Sequence, residues 1–250
     1  MFKDHFSAQA DLYAAARPNY PPALFDWLAS LPGERELAWD VGCGNGQSAL
    51  QLAQRFERVI ATDPSAAQVA LAQTQANVDY RVEPAELPSL PVGSVDLITV
   101  AQALHWFDLD AFFAAVYGVL RSDGVIAVWC YGSSEVSPEV DRLFLDLYRD
   151  ILGAYWPAER RHVENGYKDL AFPFIAIESP EFAIELDLRL ADYLDYLRSW
   201  SASQAYLRKT GDDPVLQIEA EMSTAWGEGD QVRRVRWPIH LKAGRPLPAD

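Results

Sequence analysis

The stretch ELAWDVGCGNGQ, from Glu36 to Gln47, decides the fold of this chain. Apolar residues lead into glycines at three alternate positions, and the residues that follow have the composition of a helix. A strand, a glycine turn and a helix start together present backbone N–H groups to a bound ligand that resembles a nucleotide. The stretch therefore predicts a cofactor-binding strand–turn–helix unit.

Two acidic residues accompany this turn and indicate the charge of the ligand. Asp40 precedes the first glycine, and Asp63 ends the next apolar run. A dinucleotide requires the spacing G-x-G-x-x-G, whereas Gln47 occupies the place of the third glycine here. A carboxylate beside a pyrophosphate is repulsive. S-adenosylmethionine fits better, because it carries an ammonium, a sulfonium and a ribose diol for Asp63, and no phosphate. The alternative is that Asp63 merely caps the next helix.

Composition and charge restrict the classes of function. The formal net charge of −15 opposes binding to nucleic acid or to an anionic membrane surface. The two cysteines lie in predicted core segments, and the N-terminus has no apolar leader, so we expect a cytoplasmic protein. No apolar run is long enough to span a bilayer. No His, Cys or Asp cluster has the spacing of metal ligands, so we expect no metal site.

Strands and helices alternate along residues 34–132, which predicts a doubly wound, mostly parallel α/β sheet as the cofactor-binding core. Residues 133–176 break the alternation, and Arg233 to Leu241 alternate as a late edge strand would. Three further segments complete one domain over 1–250: an N-terminal helical lid at 1–33, a helical cap insertion at 133–176, and C-terminal strands and helices at 177–250.

Several motifs of the chain occur together in one enzyme family. DVGCGNGQ matches the glycine motif of the class I S-adenosylmethionine-dependent methyltransferases, and TDPS matches their acidic strand end. DHFSAQADLYAAARPNYP, AELP, SVDLITVAQALHWFD and YLRSWSASQAY resemble the trans-aconitate methyltransferase-like branch, which includes enzymes that esterify small carboxylic acids. The resemblance runs from about Asp4 to Leu241 and implies a Rossmann-like methyltransferase fold with a seven-stranded sheet.

The resemblance also implies a set of cofactor-binding residues. They are Asp40, Gly42, Cys43, Gly44, Asp63, Pro64, Ala85, Glu86 and Gln102. By this resemblance the turn holds the amino-acid part of the cofactor, and Asp63 binds the ribose hydroxyls with Pro64 beside the adenine. Ala85 and Glu86 line the adenine, and Gln102 closes the methionine side through its backbone.

One departure from the family pattern concerns the adenine. Many relatives have an Asp that bonds the adenine amino group, and Pro84 occupies that place here. Proline supplies no acceptor side chain, so adenine recognition falls to backbone groups or to Glu86.

The acceptor is expected to be a small molecule, with a carboxylic acid as the leading interpretation. A carboxylate needs no general base, whereas a hydroxyl acceptor requires one. His105, at the end of the fourth strand, is the candidate base or orienting residue; packing beside Trp106 is the alternative. Candidate lid and acceptor residues are Phe6, Tyr13, Arg17, Tyr20, Trp106, Tyr131, Arg160 and Arg161. The three arginines could pair with a carboxylate, and solvation at the surface is the alternative for the last two.

Three other functions remain as alternatives. A methyltransferase could use a hydroxyl, amine or carbon acceptor. A non-catalytic module could bind the cofactor and a partner protein, although a closed acceptor pocket has no use in such a module. A nicotinamide dehydrogenase is disfavoured by Gln47 and Asp40.

Overall fold

A central sheet with apolar clusters on both faces organises residues 19–228 and 230–248, the part of the chain that the computed structural model describes. The strands are β1 Leu37–Val41, β2 Arg58–Asp63, β3 Val78–Val82, β4 Val95–Ala101, β5 Leu120–Tyr131, β6 Ile175–Ile177, β7 Phe182–Leu188 and β8 Arg233–Arg245. Their order is β3-β2-β1-β4-β5-β8-β6, and β7 also pairs with β8. The predicted lid residues Phe6, Tyr13 and Arg17 lie outside the described residues.

The five strands of the predicted core are parallel, as the alternation of elements indicated. Helices cover both faces of parallel sheets, so such strands are apolar throughout; every residue of β4 from Val95 to Val100 is buried. The strand order reverses at β1, which lies between β2 and β4. In open α/β sheets, ligands bind at the carboxyl ends of the strands beside such a reversal.

The prediction that Arg233–Leu241 forms an edge strand is wrong. β8 runs antiparallel to β5 on one side and to both β6 and β7 on the other. Its side chains alternate because only one face is covered: Val235, Trp237 and Ile239 are buried and Arg234 is exposed. β6 and β7 share one position beside β8, so eight strands form a sheet that is seven positions wide.

The helices pack on the two faces of this sheet. They are α1 Pro22–Ala29, α2 Gln47–Leu52, α3 Ala66–Ala70, α4 Leu109–Val119, α5 Pro138–Leu145, α6 Arg160–Glu164, α7 Leu190–Arg198, α8 Ser201–Thr210 and α9 Glu219–Trp226. Shorter 3₁₀ turns lie at Leu104–Trp106, Gly153–Tyr155 and Pro214–Gln217, and a π-helical turn lies at Asp146–Ile151. Among the described residues, no helix is long and apolar enough to cross a membrane.

Alternate residues of β5 enter different apolar clusters, which shows how the sheet separates two cores. Trp129 belongs to the cluster that contains α1 and α2 together with α5, α7 and α9. Val128 and Cys130 belong to the cluster built around α4 and Trp39. Of the residues after β5, those of α5, α7 and α9 pack on the face that also carries α1, whereas Val163, Tyr167 and Phe174 pack on the face that carries α4.

Candidate active site

A cavity of about 830 Å³ lies at the carboxyl ends of β1, β2 and β4. All nine residues of the predicted cofactor set line it: Asp40, Gly42, Cys43, Gly44, Asp63, Pro64, Ala85, Glu86 and Gln102. The fold thus brings together residues that are separated by more than sixty positions in the sequence. Their contacts with a cofactor stay predictions.

The glycine turn after β1 depends on a backbone that only glycine adopts readily. Gly42, Gly44 and Gly46 have φ angles of 66°, 55° and 88°. A Cβ at Gly42 would lie 2.6 Å from the Cβ of Ala103, and one at Gly46 would collide with the hydroxyl of Tyr80. The turn is therefore packed closely on its neighbours, and its backbone forms one wall of the cavity.

The carboxylate of Asp63 fixes this turn to the end of β2. Its Oδ2 accepts a hydrogen bond from the Gly44 N–H at 2.9 Å, and its Oδ1 accepts one from the Ser65 N–H at 2.8 Å. Ser65, and not Asp63, is the N-cap of α3, since its hydroxyl accepts a bond from the Gln68 N–H. These two bonds hold the carboxylate of Asp63 in the wall of the cavity.

Asp40 is a fully buried acid beneath the turn. The Thr99 hydroxyl donates to its Oδ1 at 2.8 Å, and its Oδ2 has no hydrogen-bond partner within the described part of the chain. Burial raises the pKa of Asp40 to about 7, against the lowering effect of the bond from Thr99. A cation in the cavity would stabilise the charged form of this side chain.

The cavity is acidic as a whole. Five carboxylates line it, from Asp40, Asp63, Glu86, Asp108 and Glu159. None of the described residues that line it is a lysine, an arginine or a histidine. Such a site repels phosphate and favours a positively charged ligand. The residues present therefore fit S-adenosylmethionine and do not fit a dinucleotide.

Gln102 holds an uncommon backbone conformation at the end of β4. Its φ is 56°, a value that non-glycine residues seldom adopt. Its side-chain amide donates to the Tyr131 carbonyl at 3.0 Å and accepts from the Tyr131 N–H at 2.9 Å. Its own N–H donates to the Trp129 carbonyl at 2.8 Å. These three bonds extend the pairing of β4 with β5 and fix the Gln102 backbone at the cavity wall.

Glu86, whose role the sequence left open, binds the start of α4. Its Oε1 accepts a hydrogen bond from the Asp108 N–H at 3.0 Å, and Asp108 is the N-cap of that helix. Both residues line the cavity. Glu86 therefore connects the loop after β3 to the loop after β4, besides any contact with a ligand.

The predicted acceptor residues separate into those that line the cavity and those that lie behind it. Tyr20 and Trp106 line it. His105 is not among the lining residues; its Nδ1 is 2.8 Å from the Tyr167 hydroxyl, and its ring centroid is 4.7 Å from that of Trp106. Tyr131 is buried behind Tyr20. The described geometry thus places His105 and Tyr131 as supports of the wall.

The two neighbouring arginines among the predicted acceptor residues lie in different surroundings. Arg160 is half-buried and lines a second cavity of about 490 Å³, whereas Arg161 is exposed. Several residues of the first cavity, including Ser48, Gln68 and Glu159, were not predicted from the sequence. Ser48 directly follows the glycine motif and Gln68 lies three residues beyond TDPS, but Glu159 carries no local signal.

The fold and the cavity together define a class of protein: an enzyme with a Rossmann-like α/β fold whose site suits a cationic cofactor. Comparison with known proteins agrees: a methyltransferase domain family matches residues 39–128. A Dictyostelium discoideum protein described as a methyltransferase is 32% identical over 247 residues, which cover 96% of this chain and 94% of that protein.

Two further relatives extend this comparison. A solved structure from Anaeromyxobacter dehalogenans, described as a type II methyltransferase, is 47% identical with a TM-score of 0.87, covering 93% of this chain and 99% of its own. A Saccharomyces cerevisiae protein described as an S-adenosylmethionine-dependent methyltransferase is 26% identical and covers 81% of this chain and 82% of its own. The chain belongs to the class I S-adenosylmethionine-dependent methyltransferases.

Proposed function

We propose that this methyltransferase transfers the methyl group of S-adenosylmethionine to a carboxylate oxygen of a small acid, as in the trans-aconitate-like branch that it resembles. The observation that carries the proposal is the division of charge between its two cavities. The cavity at the glycine turn has five acidic side chains and no cation among its described lining residues, whereas the adjoining cavity has two arginines, Arg149 and Arg160, besides Glu135 and Glu164. A cationic cofactor suits the first cavity, and the arginines of the second can pair with an anionic acceptor.

The cofactor residues have separate tasks in this proposal. The bound cofactor supplies an electrophilic methyl group on its sulfonium. Asp40 and Asp63 offset positive charge, and the carboxylate of Asp63, at the end of β2 in the cavity wall, binds the ribose hydroxyls in this proposal. Gln102 presents its fixed backbone to the methionine part, and Ala85 supplies a buried apolar surface for the adenine.

The acceptor chemistry follows from the groups that line the cavity. A carboxylate is nucleophilic at neutral pH, so the protein only has to orient it and to exclude water. Tyr20 and Trp106 supply an aromatic wall for that purpose. His105 shares its Nδ1 with Tyr167, which suits an orienting role better than that of a base. Residues 133–176 act as a cap in this proposal, and residues 1–18 of the predicted lid lie outside the described residues.

A hydroxyl acceptor is the second candidate function, and Glu159 favours it. Glu159 immediately precedes α6 and lines the cofactor cavity. A carboxylate in this position could take a proton from an alcohol within hydrogen-bond reach. The two candidates differ in product, because one gives a methyl ester and the other a methyl ether.

Product analysis separates the candidates. The protein is incubated with isotopically labelled S-adenosylmethionine and a panel of small carboxylic acids and alcohols, and products are identified by mass spectrometry before and after mild alkali. Methyl esters are cleaved by alkali and ethers are not. Labelled, alkali-sensitive products from acids support the proposal; alkali-stable products from alcohols alone contradict it. Asp63→Ala should abolish the signal, and Asp79→Ala, a partly exposed acid of β3, is the matched control.

A further inference from the structure

Tyr167 has a backbone conformation that a bulky side chain rarely adopts. Its φ is 59°, and among the described residues Gln102 is the only other non-glycine residue with a positive φ. A residue in such a conformation costs free energy and persists where the surrounding structure holds it, often at a functional site. Gln102 lines the cofactor cavity directly after β4, and the contacts of Tyr167 lead to the same segment of the chain.

Two neighbouring elements, α6 and β8, hold the backbone of Tyr167 in place. Its N–H donates to the carbonyl of His162 in α6 at 2.8 Å. The ammonium of Lys242, in β8, donates to the carbonyl of Tyr167 and, at 3.1 Å, to that of Leu170. The strained backbone is therefore anchored on both sides of its peptide group, and it places the side chain in the buried cluster around α4.

The hydroxyl of Tyr167 meets the imidazole of His105 inside this cluster. The Tyr167 side chain is fully buried, and its hydroxyl oxygen lies 2.8 Å from Nδ1 of His105. Burial raises the pKa of Tyr167 well above its ordinary value, whereas the backbone N–H of His105 acts on the hydroxyl in the opposite direction. The hydroxyl therefore keeps its proton at neutral pH.

The direction of this hydrogen bond follows from what each group can accept. Nδ1 of His105 is the acceptor within hydrogen-bond distance of the Tyr167 hydroxyl among residues 19–228 and 230–248. If Nδ1 carried the imidazole proton, it would donate to the tyrosine oxygen, and the buried O–H would be left without an acceptor, which is costly. If the O–H donates to Nδ1, both groups are satisfied. A neutral imidazole carries its proton on one nitrogen, which is then Nε2.

We infer that Tyr167 is a positioning residue, which donates a hydrogen bond to Nδ1 of His105 and so holds the imidazole in the tautomer with its proton on Nε2. In this tautomer Nε2 can donate a hydrogen bond and has no lone pair for a proton, and the lone pair of Nδ1 is occupied. His105 therefore does not serve as a general base. The inference rests on the proposed function for the part that His105 plays in methyl transfer; the tautomer itself does not depend on the acceptor.

The orientation of the imidazole reaches the cofactor cavity through Trp106. The ring centroid of His105 lies 4.7 Å from that of Trp106, which lines the cavity, and 5.9 Å from that of Tyr167. An imidazole held by Tyr167 supports the indole in one orientation, and a wall of constant shape helps to orient the acceptor. Loss of the Tyr167 hydroxyl should let the imidazole turn, which slows methyl transfer and leaves the cofactor residues in place.

The experiment reads the tautomer of His105 directly. NMR spectra that correlate the ring nitrogens of ¹⁵N-labelled histidine with their carbon-bound protons distinguish a protonated from an unprotonated nitrogen. The chain has four histidines, and the His105→Asn variant identifies the signals of His105. Spectra near neutral pH, with S-adenosylhomocysteine bound, compare the unmodified protein with Tyr167→Phe. Kinetic constants are measured in parallel with the most active acid of the panel.

Tyr193→Phe is the matched control, because it removes one hydroxyl from another buried tyrosine. The Tyr193 hydroxyl also has a partner at 2.8 Å, the hydroxyl of Ser134, and its ring lies in the cluster on the opposite face of the sheet. Circular dichroism and melting establish that each variant is folded. This variant should leave the His105 signals and kcat as they are in the unmodified protein.

The expected result for the unmodified protein is an unprotonated Nδ1 and a protonated Nε2 in His105. In Tyr167→Phe both nitrogen signals should move toward the values of mixed tautomers, and kcat should fall by about 2- to 10-fold, the effect of one lost hydrogen bond. The affinity for S-adenosylhomocysteine, measured by calorimetry, should be unchanged in both tyrosine variants.

Three results would overturn the inference: a protonated Nδ1 in the unmodified protein, unchanged His105 signals in Tyr167→Phe, or an equal change in Tyr193→Phe. If Tyr167→Phe does not fold, Lys242→Met takes its place, because it releases the Tyr167 carbonyl and keeps the hydroxyl; unchanged His105 signals in that variant contradict the positioning role. Failure of the proposed function is distinct, since methylation of alcohols alone would refute it and leave the tautomer as measured.

Discussion

Replacing Asp40 by asparagine should make the protein more stable at pH 8 and should weaken cofactor binding. The pKa of Asp40 is about 7, against an ordinary value of 3.8. The unfolded chain therefore releases this proton at lower pH than the folded protein does, and the free energy of unfolding falls as the pH rises from about 4 to about 7. About three pH units at 1.36 kcal/mol each correspond to a loss of about 4 kcal/mol above pH 7.

Asparagine at position 40 removes the charge and replaces one carboxylate oxygen with an amide N–H₂ donor. Its carbonyl can still accept the bond from Thr99, and its amide N–H₂ occupies the position of Oδ2, which has no partner in the described part. An unpaired buried donor costs about 1–3 kcal/mol. Asp40→Asn should therefore gain about 1–3 kcal/mol of stability at pH 8, and the gain should shrink toward pH 5.

The same substitution should reduce affinity for S-adenosylhomocysteine, because its ammonium group loses the negatively charged partner that Asp40 supplies. A hydrogen bond to a charged group contributes about 1.5–3 kcal/mol, which corresponds to about 10- to 150-fold in the dissociation constant. Binding to the unmodified protein should strengthen from pH 6 to pH 8 as Asp40 ionises, and this trend should be absent in Asp40→Asn.

Urea denaturation at pH 5.5 and pH 8, with calorimetric titration of S-adenosylhomocysteine at both values, measures these effects. Asp79→Asn is the control, because Asp79 is partly exposed and ion-paired with Arg81. An Asp40→Asn protein that is less stable than the unmodified one at pH 8, or that binds with unchanged affinity, would refute the assignment of Asp40 as a buried charge that serves the cofactor.

Three further substitutions test the cavity. Asp63→Ala should lower S-adenosylhomocysteine affinity by more than about 100-fold in calorimetry, since it removes both the turn contacts and the proposed ribose acceptor; Asp79→Ala should not. Gln102→Ala should lower that affinity by about 10-fold, because the backbone loses its bonds to Tyr131, and unchanged binding would contradict this role. Tyr80→Phe should raise the free energy of unfolding by about 1 kcal/mol in urea titrations, because the Tyr80 hydroxyl is buried without a partner among the described residues; a destabilised variant would show that this hydroxyl has one.

Much of the fold could be predicted from local patterns. The apolar strand before Gly42 and the alternation of elements through β5 indicate a parallel sheet, and the comparison with solved methyltransferase structures confirms this class of fold. The position of β8 could not be predicted in this way. The alternation of buried and less buried residues along β8 indicates only that one face of the strand is covered. Edge strands and interior antiparallel strands share that pattern.

Only part of the candidate site could likewise be predicted from the sequence. Asp40 lies near the end of β1, Asp63 ends β2 and Gln102 directly follows β4, so their convergence at one edge of the sheet follows from the fold. Arg160 and Arg161 are equivalent in the sequence, yet one is half-buried against Trp156 and the other is exposed. Only tertiary packing separates them, because α6 is too short to show a periodic apolar face.

The measurement that tests the central claim most directly is calorimetric titration of the unmodified protein with S-adenosylhomocysteine and, separately, with a reduced nicotinamide dinucleotide. The acidic cavity predicts one site of about micromolar affinity for S-adenosylhomocysteine, which Asp63→Ala removes, and no binding of the phosphate-bearing ligand. Binding of the dinucleotide without binding of S-adenosylhomocysteine would contradict the account.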